Sequence, residues 1–304
     1  MQQAYAAWAA IAGNQGSLRD TVELLDQPVA REMTEPAPSP LAFRRAIRLD
    51  RVRFRYSADG PWVRDGLTLE IPKGARIGLV GSTGSGKSTT LDLLMALLAP
   101  TEGELLVDGE PVRGSRVRAW QRAVAHVPQH IYLADATIAE NIAFGVPPGE
   151  IDMERVRAAA GKAQIGEFIE GRAGGYQAIV GERGIRLSGG QRQRIGIARA
   201  LAMQPSLLVA DEPVSALDVS VQAQVLELFA QVREEFQLAM VFITHDLRVA
   251  GQMCDHIAVM QRGVVVEYGE TAKVLGDPQH EYTRKLIDAV PRLSSPDEAP
   301  ALAA

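Results

Sequence analysis

Three groups of residues have the types and spacing for phosphate chemistry. The first is Gly81-Ser82-Thr83-Gly84-Ser85-Gly86-Lys87-Ser88-Thr89, which fits G-x-x-x-x-G-K-[ST] and follows the apolar run RIGLV. Its glycines let the backbone turn so that successive N–H groups face inward onto phosphate oxygens. A helix opening at the end of the loop would aim its positive end at the same anion. Lys87 can reach the β- and γ-phosphates of a nucleoside triphosphate, and the Ser88 hydroxyl can ligate Mg²⁺. The second group is Asp211-Glu212 at the end of LLVA. Asp211 is placed to hold the metal through its water shell, and Glu212 to act as general base on an attacking water. The third is Leu187-Ser188-Gly189-Gly190-Gln191, which opens a helix with a serine and two glycines. It offers a second set of anion-binding N–H groups.

These residues need a sheet and helices to position them. RIGLV is nearly all apolar, as a central strand would be, and LTLEI precedes it. IRLDRVRFRY alternates apolar and basic residues with one slip of phase, which predicts a half-buried strand carrying a bulge. STTLDLLMALLA has apolar residues at 91, 94, 95 and 98, a helical spacing. GELLVDGEPV reads as a hairpin turning at Asp108-Gly109. The stretch 130–203 is mostly helical in pattern, with Thr137 and Glu140 as a capping box. From 206 onward SLLVAD, VQAQVLELFAQVREEF, AMVFIT and HIAVM alternate strand with helix, which predicts a mostly parallel sheet with crossover helices.

At the N-terminus, residues 1–27 read as a helix with Val22, Leu24 and Leu25 on one face, followed by the Pro-rich REMTEPAPSP. The expected organisation is a lead-in and linker over 1–41, a globular domain over 42–290 and a flexible tail over 291–304. Composition narrows the function. A net charge of −5 argues against a general nucleic-acid binder. The single cysteine, Cys254, excludes an internal disulfide or a Cys-rich metal site and reads as a small buried hydrophobe. No apolar run approaches the ~20 residues needed to span a bilayer, and the N-terminus lacks the basic start and apolar centre of a signal peptide.

With these pieces placed, LSGGQRQRIGIARAL resembles the signature of the ATP-binding cassette (ABC) ATPases, and the resemblance runs over nearly all of 45–290. It implies an α/β P-loop NTPase with a RecA-like, mostly parallel core sheet, an N-terminal antiparallel β subdomain and a helical subdomain over about 130–203. It also implies roles for further residues. Tyr56 would stack on adenine. Gln129, in VPQ, would touch Mg²⁺ and link to a permease. Ser215-Ala216-Leu217-Asp218 matches the D-loop, and His245, in FITHD, the switch histidine. In such ATPases two cassettes pair head to tail, so that Leu187–Gln191 of one completes the ATP site of the other. The implied cofactors are ATP and Mg²⁺. The implied partners are a second cassette, identical or different, and transmembrane permease subunits, with the chain peripheral on the cytoplasmic face of the inner membrane.

The two ends resemble different branches of that family. Residues 1 to about 203, including ATIAENIAFG and VGERGIRLSGGQ, look like exporters in which the cassette follows membrane helices. From about 206 onward, LLVADEPVSALDVSVQAQVLELF and DPQHEYTRKLI look like the ATPase subunits of oligopeptide and dipeptide importers. The leading expectation is an ATPase subunit that powers a transporter, with peptides as the class suggested by the C-terminal third. The alternative is an orphaned or chimeric fragment that binds nucleotide without productive transport. A soluble cassette protein acting on ribosomes or DNA fits less well, because the chain has one uninterrupted cassette and no basic excess.

Overall fold

The computed structural model describes residues 2–26, 38–215, 217–236 and 238–289. The expected Pro-rich linker and C-terminal tail fall almost wholly outside them. By internal contact the chain separates into two units, Met1–Pro38 and Ser39–Ala304. The first contains one helix, α1 (Gln2–Leu25), on which Val22, Leu24 and Leu25 are all exposed.

The second unit is built on two sheets. The smaller contains β1 (Ala46–Phe54), β2 (Arg64–Pro72), β4 (Glu102–Val107) and β5 (Glu110–Pro111) in the order β2-β1-β4-β5, all antiparallel. The slip of phase in β1 is a bulge at Arg51, whose φ is 48° and around which the register with both neighbours shifts. Asp108 and Gly109 turn the β4–β5 hairpin with φ of 55° and 87°.

The larger sheet contains β3 (Arg76–Val80), β6 (Val124–Val127), β7 (Leu207–Asp211), β8 (Ala239–Thr244), β9 (His256–Gln261) and β10 (Val264–Glu270). Its order is β10-β9-β3-β8-β7-β6, parallel throughout except for the antiparallel edge pair β9–β10. The unbroken apolar runs of β7 and β8 are explained by position: both lie inside the sheet and are covered on both faces. One face packs on the antiparallel sheet through Ile47, Leu69, Leu79, Trp120, Val209 and Val241. The other packs on helices, with Phe242 of β8 meeting Phe229 edge-on at 5.7 Å.

Helix α2 (Lys87–Leu94) follows the glycine loop, and α3 (Ser115–Gln121) precedes β6. The apolar spacing continues to residue 98, but α2 ends at Leu94. Ala96 takes a left-handed φ of 54°, and the Asp92 carbonyl accepts the N–H of Leu97 at 2.8 Å, closing the helix a turn early. The region between β6 and β7 holds α4 (Ile138–Ile142), α5 (Met153–Lys162), α6 (Gly166–Glu170) and α7 (Gly189–Ala202). Thr137 and Glu140 form the expected reciprocal cap on α4. Helix α8 (Val219–Phe236) crosses over to β8, α9 (Leu247–Met253) to β9, and α10 (Thr271–Gly276) and α11 (Glu281–Asp288) follow β10. The result is the mixed α/β architecture expected: a mostly parallel core sheet, an antiparallel β subdomain and a helical insertion.

Candidate functional site

The residues with phosphate chemistry sit at the carboxyl ends of neighbouring parallel strands, where α/β sheets open a crevice for ligands. Strand β3 ends at Val80 and runs into the loop 81–86, and α2 begins at Lys87. Gly84 and Gly86 have φ of 77° and 93°, a region that side chains other than glycine's enter only with strain. The Lys87 side chain is folded back into its own loop and only 7% exposed. Its Nζ donates to the carbonyls of Gly81 at 2.8 Å and Ser82 at 3.1 Å and reaches Ser85 Oγ at 3.5 Å. Burial pushes its pKa down, and the nearby charges of Glu212 and Asp211 work against that shift.

Strand β7 delivers Asp211 and Glu212, both partly buried. Burial, and then the neighbouring Glu212 charge, push the Asp211 carboxyl up, while Lys87 pulls it down. Glu212 has a left-handed φ of 43°, held by its N–H to the Ile243 carbonyl at 3.0 Å. Its Oε2 faces His245 Nδ1 at 3.2 Å, beyond the end of β8, and accepts from Gln129 Nε2 at 3.3 Å, just after β6. Gln129 also donates to Ser215 Oγ at 3.2 Å, and that hydroxyl donates to the Glu212 carbonyl at 3.0 Å. Gln129, Glu212, Ser215 and His245, far apart in sequence, thus form one hydrogen-bonded cluster. A carboxylate bonded to an exposed imidazole can orient a water and pass on its proton.

Tyr56 lies just beyond β1, with its ring edge-on to Phe54 at 4.9 Å and 68% exposed. Its hydroxyl is 3.3 Å from Thr89 Oγ1 in α2, so an aromatic face stands free beside the phosphate loop. Ser88 is exposed at the start of α2. The remaining loop residues Ser82, Thr83 and Gly84 are exposed as well, and Ser85 is buried.

The stretch Leu187–Gln191 leads into a different element, helix α7, with Leu187 buried and Ser188 exposed. Ser188 caps α7: its Oγ accepts the Gln191 N–H at 3.3 Å, and Gln191 Oε1 accepts the Ser188 N–H at 2.9 Å. The Gly189 and Gly190 N–H groups, in the first turn, have no carbonyl a turn earlier to bond. Gly190 allows a close approach that a side chain would obstruct, and Gly189 a snug one. A Cβ on Gly190 would stand 2.8 Å from Val221 Cγ1, and one on Gly189 would stand 3.3 Å from Leu217 of the D-loop stretch. Asp218 is exposed beside it, and Ala216 lies outside the described residues.

Ser88, Gln129 and Asp211 offer oxygen donors of the kind Mg²⁺ takes when it is shared between protein and substrate phosphates. Among the described residues no group of three or more His, Cys, Asp or Glu could hold a metal ion. Two residues that motif reading passed over also touch the loop. Arg64, at the start of β2, is wholly buried behind it and donates through Nη1 to the Ser85 carbonyl at 3.2 Å. Tyr282, on α11, reaches Ser82 from the far end of the chain.

The family model described as "ABC transporter" matches residues 64–215, and that described as "Oligopeptide/dipeptide transporter, C-terminal region" matches 266–303. The chain belongs to the ABC transporter family. It is 39% identical over 255 residues to the "ATP-dependent lipid A-core flippase" of Chromohalobacter salexigens, covering 83% of this chain and 42% of that protein. It is 40% identical over 252 residues to the "Oligopeptide transport ATP-binding protein OppD" of Mycobacterium tuberculosis, covering 77% of this chain and 38% of that protein. The "Methionine import ATP-binding protein MetN" of Xanthomonas campestris pv. campestris is 39% identical, covering 79% of this chain and 72% of that protein. Among solved structures, a bacterial Atm1-family ABC exporter with ATP bound superposes with a TM-score of 0.76 at 30% identity, covering 95% of this chain and 49% of that one. The chain therefore spans less than half the length of the flippase, OppD and exporter relatives. Relatives of both exporter and importer type match it, in keeping with its mixed sequence character.

Proposed function

We propose that the chain is the ATP-binding and ATP-hydrolysing part of a membrane transporter. On this reading two cassettes close around two MgATP, each cassette supplying one face of each site. The observation that carries it is that two sets of anion-binding groups sit on different elements. The loop 81–89 and the Gln129–Glu212–His245 cluster follow the carboxyl ends of β3, β6, β7 and β8, whereas Ser188, Gly189 and Gly190 open the separate helix α7, whose first-turn N–H groups have no intrahelical partner.

Each residue then has a stated task. Lys87 and the loop N–H groups other than that of Ser82 hold the β- and γ-phosphates, and Tyr56 offers its free ring to the base. Ser88, Gln129 and Asp211 hold Mg²⁺, which supplies charge neutralisation at the phosphates. Glu212 takes the proton of the attacking water, and His245, bonded to it, fixes its orientation. Ser188–Gln191 of the second cassette covers the γ-phosphate, with Leu217 packed beside Gly189.

No helix among the described residues is long and apolar enough to cross a membrane. On this reading a membrane permease, whether on separate subunits or on the same polypeptide, provides the pathway, with the cassette on the cytoplasmic face. The match of 266–303 to the oligopeptide/dipeptide region and the likeness to OppD support peptides as the cargo. Substituting Glu212→Gln tests the core of this reading. The variant keeps size and hydrogen bonding but cannot accept the proton, so MgATP should accumulate in a stable pair while steady turnover drops by about 100-fold or more. Hydrolysis at the wild-type rate would remove Glu212 from the role of base.

A further inference from the structure

The C-terminal stretch HEYTRKLI has no part in the chemistry above, yet its side chains are built into the phosphate loop. Glu267, on edge strand β10, accepts the N–H groups of Gln279 at 2.8 Å and His280 at 3.1 Å, which fixes the entry to α11. His280 caps that helix, its Nδ1 accepting the Tyr282 N–H at 3.1 Å. The Tyr282 ring packs with Leu286 against a cluster that includes Val80, the last residue of β3 before the loop. Its hydroxyl then bonds Ser82 twice, accepting the Ser82 N–H at 3.0 Å and donating to Ser82 Oγ at 3.1 Å. The Ser82 carbonyl in turn accepts from Lys87 Nζ at 3.1 Å. An uninterrupted chain of contacts thus runs from β10 through α11 to the lysine that meets the phosphates.

We infer that Tyr282 is a positioning residue for the nucleotide site. It tethers the first variable residue of the phosphate loop to the C-terminal helix and so sets the placement of Lys87. The inference rests on the nucleotide-binding reading of the loop 81–89. Ser82 becomes an anchor point for the loop, because its N–H is taken by the tyrosine and is not available to a phosphate oxygen. The geometry also makes the coupling two-way: whatever α11 does to the loop, nucleotide in the loop must do to α11. The C-terminal module, which matches the oligopeptide/dipeptide transporter region and contains Glu267, His280 and Tyr282, is thereby linked to nucleotide occupancy.

Tyr282→Phe tests this, because it keeps the ring against Val80 and removes only the hydroxyl. The two lost bonds are worth about 1–3 kcal/mol together, and with half of that expressed in nucleotide binding the dissociation constant for MgATP should rise roughly 2- to 12-fold. The other half should appear as a fall of about 1–6 °C in the nucleotide-free thermal midpoint. In wild type, MgATP should slow amide exchange over 279–288, and that protection should be lost in Tyr282→Phe. Tyr282→Ala should lose more stability than Tyr282→Phe. Unchanged MgATP affinity in Tyr282→Phe, with α11 protection retained, would overturn the inference. So would tighter binding, since that would make the contact a brake. A wild-type chain that fails to bind MgATP at all would instead overturn the nucleotide-binding reading itself.

Discussion

Arg64 is a buried charge with unpartnered donors, and replacing it has a calculable effect. Its guanidinium is fully buried, Nε and Nη2 have no hydrogen-bond partner, and Nη1 reaches only the Val63 and Ser85 carbonyls at 3.2 Å each. Burial lowers its pKa from 12.5 to about 10. At 1.36 kcal/mol for each pKa unit, the folded state bears a penalty of about 3 kcal/mol for keeping this charge. Arg64→Met keeps an unbranched apolar stem and removes the charge. The Ser85 carbonyl keeps a partner, the Gly263 N–H at 3.1 Å. After allowing about 1 kcal/mol for the lost Nη1 bonds, the variant should be more stable than wild type by about 1–3 kcal/mol in urea unfolding at neutral pH. The sign with pH follows from the lowered folded-state pKa. Below about pH 10 the group is charged in both states and the full penalty is present; above it the folded state releases the proton first and the penalty fades. The advantage of the variant should therefore be constant from pH 6 to 9 and shrink beyond about pH 10. A variant less stable than wild type by more than about 1 kcal/mol would refute the reasoning, since it would mean the guanidinium is a net support of the loop.

Two other outcomes follow from local geometry. Cys254 is buried and its thiol is pushed up to about 12 by that burial. A thiol reagent at pH 8 should label the native chain at least about 100-fold more slowly than the urea-unfolded chain, and rapid native labelling would contradict the burial. Gly190→Ala should lower ATP-driven pairing and cost about 1 kcal/mol, because its Cβ would meet Val221 Cγ1 at 2.8 Å. Val221→Ala in the same chain should restore most of both losses, and failure to restore either would place the defect in the helix terminus itself.

Much of the fold could be read from periodicity because the core strands are buried on both faces. The runs RIGLV, LLVAD and AMVFIT became β3, β7 and β8 in the centre of one sheet. The end of α2 could not be read that way. The apolar spacing at 95 and 98 continues past Leu94, but Met95, the C-cap, is the last residue with helical backbone, and the helix is closed there by the left-handed Ala96 and the Leu97 N–H to the Asp92 carbonyl. In the site, Gly81–Thr89, Asp211-Glu212 and Leu187–Gln191 are legible because phosphate binding imposes local spacing. Arg64 and Tyr282 are not. Arg64 stands at a strand end where an arginine ordinarily reaches water, and its burial depends on where the glycine loop folds over it. Tyr282 lies 200 positions from Ser82 in sequence, so its contact exists only once β10 and α11 are docked.

Sharing of each ATP site between two chains is tested most directly by complementation. Lys87→Ala disables the phosphate loop, and Ser188→Arg blocks the surface offered to a partner. Each variant alone should show no steady ATP turnover. Mixed in equal amounts, half of the randomly formed pairs hold one site with both faces intact, so the mixture should recover about a quarter of the wild-type rate. No recovery from a mixture that demonstrably forms mixed pairs, or full turnover by Ser188→Arg alone, would contradict a site completed in trans.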